Sequence, residues 1–372
     1  MASERTALPP GVPPLSALYL YISGACNLPC RHCWISPAPP AGAGSRLFLG
    51  MDHLRSVVEQ ARPLGLVGVK LTGGEPLLHP DFREIVEYLC QAGLPVTLET
   101  NGTLIDSDCA TLLKHLRNVR FVSVSLDGAN ATTHEELRVL PGSFEKALNG
   151  IRELVKVGIR PQVICTLHKG NVSEVGAVVA LAEQLGCGSV KFNHVQRVGR
   201  GEGFGEAQGL DLREIIETYR SLESDVIPKV GLAVHFDVPM AFKSIGSLLR
   251  TSGNTCGVRE ILGVLSNGAL SLCGIGVSVP ELVFGHLDRD ALYDVWVGNP
   301  TLAALREAVP FGLQGICGEC LPRGLCLGMC IADNYHRAKK FSGGHWFCTG
   351  AAEIGLFPAS RRKGSVDSCP TP

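Results

Sequence analysis

Apolar and polar positions follow two rhythms along the first half of the chain. Short β-rich runs at 17–23, 67–71, 95–99, 120–126, 160–167 and 189–194 predict six strands. Between them, apolar residues three and four apart predict helices over 51–62, 82–91, 106–116, 144–157 and 173–185. In the first of these helices Leu54, Val57, Val58 and Ala61 share one face. Gly93, Gly158 and Gly186 stand just past three of the helices, where a left-handed C-terminal cap is wanted. Strands and helices in alternation imply a parallel sheet with right-handed crossovers. A closed barrel takes eight such units, so six predict an α/β fold, a partial (β/α)6 TIM-like barrel open on one side. Ligands then gather at the C-terminal ends of the strands.

The texture changes further on. Gly199 to Gly209 reads as a flexible junction, 212–222 as a helix and 231–236 as another strand. Apolar runs at 261–265 and 269–272 flank Asn267-Gly268, a strong hairpin-turn signal. From Cys317 to Cys348 the chain is dense in Gly and Cys with little periodicity, so metal is the natural support for it. This divides the chain into a flexible Pro-rich tail (1–16), a barrel core (17–235), a metal-supported unit (236–350) and a C-terminal tail (351–372).

Composition narrows the function classes. The 372 residues are 45% hydrophobic and 19% charged, which excludes a disordered chain. A formal net charge of −1 gives no electrostatic footprint for nucleic acid. No apolar run is long enough to predict a membrane-spanning helix. Leu15 to Cys26 ends in Ser23-Gly24-Ala25-Cys26, loosely like a lipoprotein cleavage site. Glu4, a single Arg5 and four prolines between positions 9 and 14 argue against a secretory signal. Fifteen cysteines in a chain that needs no disulfide staple fit a reduced, cytoplasmic protein whose thiols have another use.

Three of them form Cys26-x3-Cys30-x2-Cys33, on the loop that follows the first strand. Three thiolates at this spacing can wrap one compact metal centre. Three buried thiols, or zinc completed by His32 or a distant residue, are the alternatives. A four-iron cluster with three ligands leaves one iron open, as a catalytic centre requires.

The triplet resembles the signature of the radical S-adenosylmethionine (SAM) enzymes, Cys-x3-Cys-x-aromatic-Cys. His32 stands where the aromatic residue is usual, and its planar ring can still pack against adenine. The resemblance implies a [4Fe–4S] cluster whose open iron chelates SAM, and a 5′-deoxyadenosyl radical that takes a hydrogen from the substrate. Other elements follow in order. Gly73-Gly74-Glu75-Pro76, 40 residues past Cys33, is similar to the family's Gly-Gly-Glu motif. There the glycines let the backbone approach the ligand, and Glu75 accepts from the methionine ammonium. Thr100-Asn101-Gly102 ends the third strand. Ser125 and Asp127, at the end of the fourth, are the expected partners of the ribose hydroxyls, although a capped turn at Asp127-Gly128 explains them as well. Arg138 resembles a family arginine near the SAM site, with a solvated surface arginine as its rival.

The C-terminal third carries Cys256-x11-Gly268-x4-Cys273, then Cys317-x2-Cys320-x5-Cys326-x3-Cys330, then Cys348 after seventeen residues. Read alone, these are two soft-metal sites, zinc or Fe–S. They resemble the seven-cysteine SPASM domain, which carries up to two auxiliary iron–sulfur clusters. The resemblance implies one set of Cys256, Cys273 and Cys330, and another of Cys317, Cys320, Cys326 and Cys348. The first set lacks a fourth cysteine between positions 257 and 272, leaving an open iron, a non-cysteine ligand, a smaller cluster or none. Five cysteines remain. Cys90, Cys109 and Cys187 read as ordinary packing residues and Cys369 is unassigned. Cys165, on the fifth strand, is a candidate hydrogen-atom donor if it faces the barrel interior.

The leading expectation is a maturase that crosslinks, oxidises, epimerises or forms a thioether in a peptide or protein. It would need a reductant such as ferredoxin or flavodoxin. The first strand starts near residue 17, so a leader peptide, if used, would fall to a separate protein. The alternatives are the same chemistry on a small molecule or tetrapyrrole, and a non-catalytic zinc or Fe–S scaffold.

Overall fold

The computed structural model describes residues 6–40, 47–250 and 256–363. Among the described residues, seven strands pair in parallel, each with the next in the chain. They are β1 (Ala17–Ser23), β2 (Gly68–Gly73), β3 (Val96–Thr100), β4 (Val119–Ser125), β5 (Gln162–Leu167), β6 (Ser189–His194) and β7 (Ala233–Phe236). The connections carry α1 (Met51–Ala61), α2 (Phe82–Gln91), α3 (Ser107–His115), α4 (Ala131–Arg138), α5 (Ser143–Lys156), α6 (Val175–Gln184), α7 (Gly201–Gln208) and α8 (Leu212–Ser221). This is the expected α/β partial barrel, with the expected further strand near 231–236 added to the six. Gly93, Gly158 and Gly186 have φ of 69°, 80° and 81°, as left-handed caps do.

The C-terminal hairpin joins the same sheet. β8 (Ile261–Val264) pairs parallel with β1, and β9 (Ala269–Ser271) and β10 (Val283–His286) follow antiparallel. The strand order is β10-β9-β8-β1-β2-β3-β4-β5-β6-β7. Asn267-Gly268 makes the β8–β9 turn, with Gly268 at φ 87°. A row of cysteines that begins next to β8 is thereby held against the barrel itself.

Strand alternation sets the two faces of the sheet. Leu18, Leu20, Ile22, Val69, Leu71 and Val124 point outward into a core shared with the helices. Helix α5 shows how that core is built. Phe144, Ala147, Leu148, Ile151 and Leu154 lie on one buried face, and each large side chain contributes roughly 1.5–3 kcal/mol of burial. A second, smaller core of Leu272, Ile275, Leu305, Val309 and Ile331 packs the C-terminal third. Residues 6–16 are docked. Leu15 is fully buried, Thr6 N–H donates to Pro63 O at 2.9 Å, and Trp296 Nε1 donates to Pro13 O at 2.9 Å.

Three segments differ from the sequence expectation. Gly201–Gln208 is a helix rather than a flexible junction. Its first glycine serves close packing, since a Cβ on Gly201 would lie 2.8 Å from the His32 carbonyl oxygen. Helix α4 carries little apolar periodicity because its buried face is His134, Leu137 and Arg138. The cysteine-rich segment holds helices at Ile331–Ala338 and Trp346–Glu353, the first capped by Cys330.

Candidate active site and metal centres

The inward face of the sheet is polar. Tyr19 and Tyr21, Lys70 and Thr72, Ser123 and Ser125, Ile164 and Thr166, and Lys191 and Asn193 come from alternate positions of five strands. With Glu99 they line a cavity of about 410 Å³. Its mouth residues include Cys26, Cys30, Cys33, His32, Gly73, Gly74 and Arg138. Topology thus brings the first cysteine triplet and the glycine pair to one place, at the C-terminal strand ends.

The triplet loop is anchored on both sides. Arg200 donates its N–H to Cys33 O and its Nε to Cys30 O, both at 3.0 Å. N–H donors also face the sulfurs. Leu28 N lies 3.4 Å from Cys26 Sγ, Asn101 Nδ2 3.9 Å from the same sulfur, and Arg138 Nη1 3.6 Å from Cys30 Sγ. Such donors suit thiolate ligands. Burial pushes the Cys26 thiol up to about 12, so the free loop holds thiols and binding a metal there releases protons. His32 is neutral, its pKa lowered to about 3 by burial and by the neighbouring Arg138, and its Nδ1 is buried without a partner.

Two motif residues make close contacts within the protein. Gly74 and Glu75 donate their N–H groups to Ser23 O and Ala25 O at 2.6 and 2.8 Å. A Cβ on Gly74 would fall 2.1 Å from Ala25 O, so this glycine permits a backbone-to-backbone approach. Glu75 is fully buried and does not line the cavity. Its carboxylate accepts from Thr100 Oγ1 at 2.6 Å, Asn101 N at 2.8 Å and Leu77 N at 3.2 Å. It binds the ends of β2 and β3 together from behind the cavity wall.

Asp127 is likewise withdrawn. Its Oδ2 accepts from Arg138 Nε at 2.5 Å and its Oδ1 from Thr166 N at 2.8 Å, and it is fully buried. Burial works to raise its carboxyl, but Arg138 outweighs this and holds it at about 2. Asp127 therefore orients Arg138, which reaches both the cavity and Cys30. Ser125 does line the cavity, whereas the Asp127 side chain does not. Cys165 is misplaced as a hydrogen donor. Ile164 and Thr166 face inward, so Cys165 points outward with Val163 and Leu167 into the helix-packed core. Cys187 is buried, Cys90 and Cys109 are half-buried, and Cys369 lies outside the described residues.

The C-terminal cysteines separate into two groups. Cys256, Cys273 and Cys330 border the central cavity. Cys317, Cys320, Cys326 and Cys348 border a second, small cavity with Arg323 and His345. Among the described residues no three His, Cys, Asp or Glu groups converge tightly enough for a single ion. A bonded line links the groups. Asp333 N donates to Cys330 Sγ at 3.5 Å, Trp346 Nε1 donates to Asp333 Oδ2 at 2.8 Å, and the adjacent His345 N donates to Cys317 Sγ at 3.2 Å. Arg337 holds this line in place, bonding Asp333 at 3.1 Å and stacking 4.7 Å over Trp346.

An ion pair missed in the sequence lines the cavity. Lys70 Nζ lies 2.8 Å from Glu99 Oε1 and 4.4 Å above the Tyr19 ring. Burial opposes charge on both groups, yet each holds the other ionised. Alternation marks Lys70 and Glu99 as inward residues, but only the β2–β3 pairing makes them partners.

A model of the Radical SAM superfamily matches residues 20–182. AdoMet-dependent heme synthase of Methanosarcina barkeri is 31% identical over 326 residues, covering 84% of this chain and 90% of that protein. The chain belongs to the radical SAM superfamily. The subtilosin biosynthesis protein AlbA of Bacillus subtilis is 30% identical, covering 87% of this chain and 70% of that one. Among solved structures, Streptococcus suis SuiB bound to precursor peptide SuiA superposes with a TM-score of 0.70 at 17% identity, covering 91% of this chain and 76% of that one. The structure of anSMEcpe with bound AdoMet gives 0.70 at 18% identity, covering 92% and 96%. Radical SAM enzymes use a [4Fe–4S] cluster and SAM, and the cysteine-rich C-terminal part of this one fits auxiliary clusters. Membership in an enzyme superfamily sets the scaffold alternative aside.

Proposed function

We propose that this radical SAM enzyme is a maturase that takes a hydrogen from a peptide or protein side chain or α-carbon. In this reading Cys26, Cys30 and Cys33 hold the [4Fe–4S] cluster. Bound SAM and that cluster supply the 5′-deoxyadenosyl radical. His32, Gly73, Gly74, Ser125 and Arg138 border the SAM end of the cavity, with Glu75 and Asp127 fixing the loops behind them. The auxiliary sets, Cys256, Cys273 and Cys330 and then Cys317, Cys320, Cys326 and Cys348, hold one or two further clusters. Free thiols throughout the described chain suit a reducing cytoplasm. Among the described residues no helix is long and apolar enough to cross a membrane.

The charge balance of the cavity carries the choice of substrate. Among the described residues, three lysine and arginine side chains line it; Lys70 is committed to Glu99 and Arg138 to Asp127, leaving Lys191. A substrate bearing several carboxylates needs several free cations, whereas a peptide's amides suit the Tyr, Ser, Thr and Asn groups present. AlbA, similar in sequence, is named for a bacteriocin, and SuiB, similar in fold, is seen bound to a precursor peptide. The second reading is tetrapyrrole chemistry, favoured by the 31% identity to a heme synthase.

The deciding experiment uses reconstituted enzyme with SAM and dithionite in D2O. Iron-coproporphyrin III and short peptides encoded beside the gene are offered in parallel, and mass spectrometry reads both. A mass change or deuterium uptake confined to a peptide supports the proposal, and a change confined to the porphyrin overturns it. In the same assay Cys320→Ala should keep dithionite-driven formation of 5′-deoxyadenosine and lose modified peptide. Equal loss of both would show that the two cysteine regions stand or fall as one unit.

A further inference from the structure

We propose that Lys191 holds one carboxylate of the substrate. On the peptide reading above, which this deepens and on which it rests, that carboxylate is an Asp or Glu side chain or the C-terminus, close to the residue that reacts.

Two walls of the central cavity differ in how their polar groups are satisfied. On the β2–β3 wall they answer one another. Lys70 bonds Glu99 at 2.8 Å, Thr72 donates to the same carboxylate, and the Tyr19 ring lies 4.4 Å from the Lys70 ammonium. The β6–β7 wall is open. Lys191, Asn193 and His194 of β6 and Asp237, just past β7, line the same cavity. Lys191 pairs with His235 and Phe192 with Phe236, and Asp237 N donates to Phe192 O at 2.9 Å, so the four form one patch. Asn193 Oδ1 and His194 Nδ1 are buried without a hydrogen-bond partner. Among the described residues, neither the Lys191 ammonium nor the Asp237 carboxylate has a hydrogen bond or ion pair. Buried polar groups in a folded protein are nearly always paired. Those left open in a cavity mark where a ligand's own polar groups belong.

Charge selects the group. Lys70, Lys191 and Lys243 act on Glu99 and Asp237 or on one another in this part of the structure. Lys70 takes Glu99, and Asp237 is the main opposite charge acting on the buried Lys243. Lys191 is the cation left over. An ammonium facing a cavity is completed by one anion, and a carboxylate makes a charge-assisted hydrogen bond with it. The Asp237 carboxylate repels a second anion, so the patch suits one carboxylate rather than several. Asn193 Oδ1 is an acceptor and suits a peptide N–H. The rival partner for Lys191 is a cluster on Cys256, whose thiol also feels this ammonium.

The test uses holoenzyme with SAM and dithionite. The probes are peptides encoded beside the gene, and iron-coproporphyrin III in parallel. Lys191→Met should raise KM for the peptide about 10–100-fold, the usual worth of a hydrogen bond between charged groups. Lys191→Arg should keep most of the affinity, and the EPR signals of the clusters should be unchanged in both. Peptides neutralised one carboxylate at a time, by amides for Asp and Glu or at the C-terminus, locate the partner. One of them should lose the same factor with wild type and lose nothing more with Lys191→Met. An unchanged KM in Lys191→Met would overturn the proposal. So would an equal loss from Lys191→Met with every neutralised peptide. Altered EPR signals with an unchanged KM would assign Lys191 to the cluster on Cys256. Turnover confined to the porphyrin sinks the peptide reading alone. In that case Lys191→Met should weaken binding of iron-coproporphyrin III, read by its absorbance, and leave binding of its tetramethyl ester unchanged. Equal weakening of both would end the carboxylate assignment as well.

Discussion

Replacing Cys30 with alanine is expected to bring 5′-deoxyadenosine formation down to background. Cys30 stands between Cys26 and Cys33 on a loop fixed by Arg200. It is the buried member of the triplet, and the one that Arg138 faces at 3.6 Å. No other cysteine among the lining residues lies on that loop beyond the triplet itself, so no neighbour can replace the lost thiolate. The check is paired. Chromatography measures 5′-deoxyadenosine, and iron and sulfide analysis measures cluster content. Iron should fall by one cluster while the C-terminal share remains, because Cys317, Cys320, Cys326 and Cys348 border a separate cavity. A Cys30→Ala protein that still cleaves SAM at the wild-type rate would remove the triplet from the mechanism. Cys165→Ala is the matched control. Its thiol faces the outer core, so SAM cleavage should persist with only a packing cost.

How much of this was legible in the sequence depends on whether a feature is local. Strand alternation and helical period are local, and they located the parallel strands and their helices. The cysteine spacings are local too, and they carry the resemblance, but how those thiols divide between cavities came from the resemblance and not from the spacings. What failed was partnership across the sheet or between loops. Glu75 and Asp127 are polar residues in suggestive positions, but their burial and their donors come from β3, β5 and α4. Helix α4 hid because a buried His134 and Arg138 replace the apolar stripe. Gly201 of α7 was read as freedom when it marks contact with the loop that carries Cys30 and Cys33. Cys165 is a different case, since Val163, Cys165 and Leu167 already form one apolar face in the sequence. The alternation was there to be used.

The second large effect is expected at Asp127, through stability before activity. Arg138 is nine-tenths buried and Asp127 wholly so, and their ion pair is 2.5 Å long. Removing one partner from a buried pair leaves the other charge uncompensated, at a cost of roughly 3–5 kcal/mol. Asp127→Ala should therefore destabilise the metal-free protein by about that amount in urea unfolding. Asp127→Ala combined with Arg138→Met should recover much of the loss, since neither charge is then stranded. The pH dependence has a definite sign. The Asp127 carboxyl is held at about 2 by Arg138, below its usual range. Its contribution is complete above about pH 4, where the unfolded chain's carboxyl is also ionised, and fades as the pH falls toward 2. The gap between wild type and Asp127→Ala should thus be flat at neutral pH and close only in acid. A gap that closed on the alkaline side would mean that another group supplies the stability. In the loaded enzyme Asp127→Asn keeps the shape and loses the charge. SAM cleavage should then fall about 10–100-fold, the usual cost of loosening the residue behind a ligand. If Asp127→Asn cleaves SAM normally while Asp127→Ala unfolds, Arg138 needs only to be packed, not aimed, and the chain from Asp127 through Arg138 to Cys30 is structural alone.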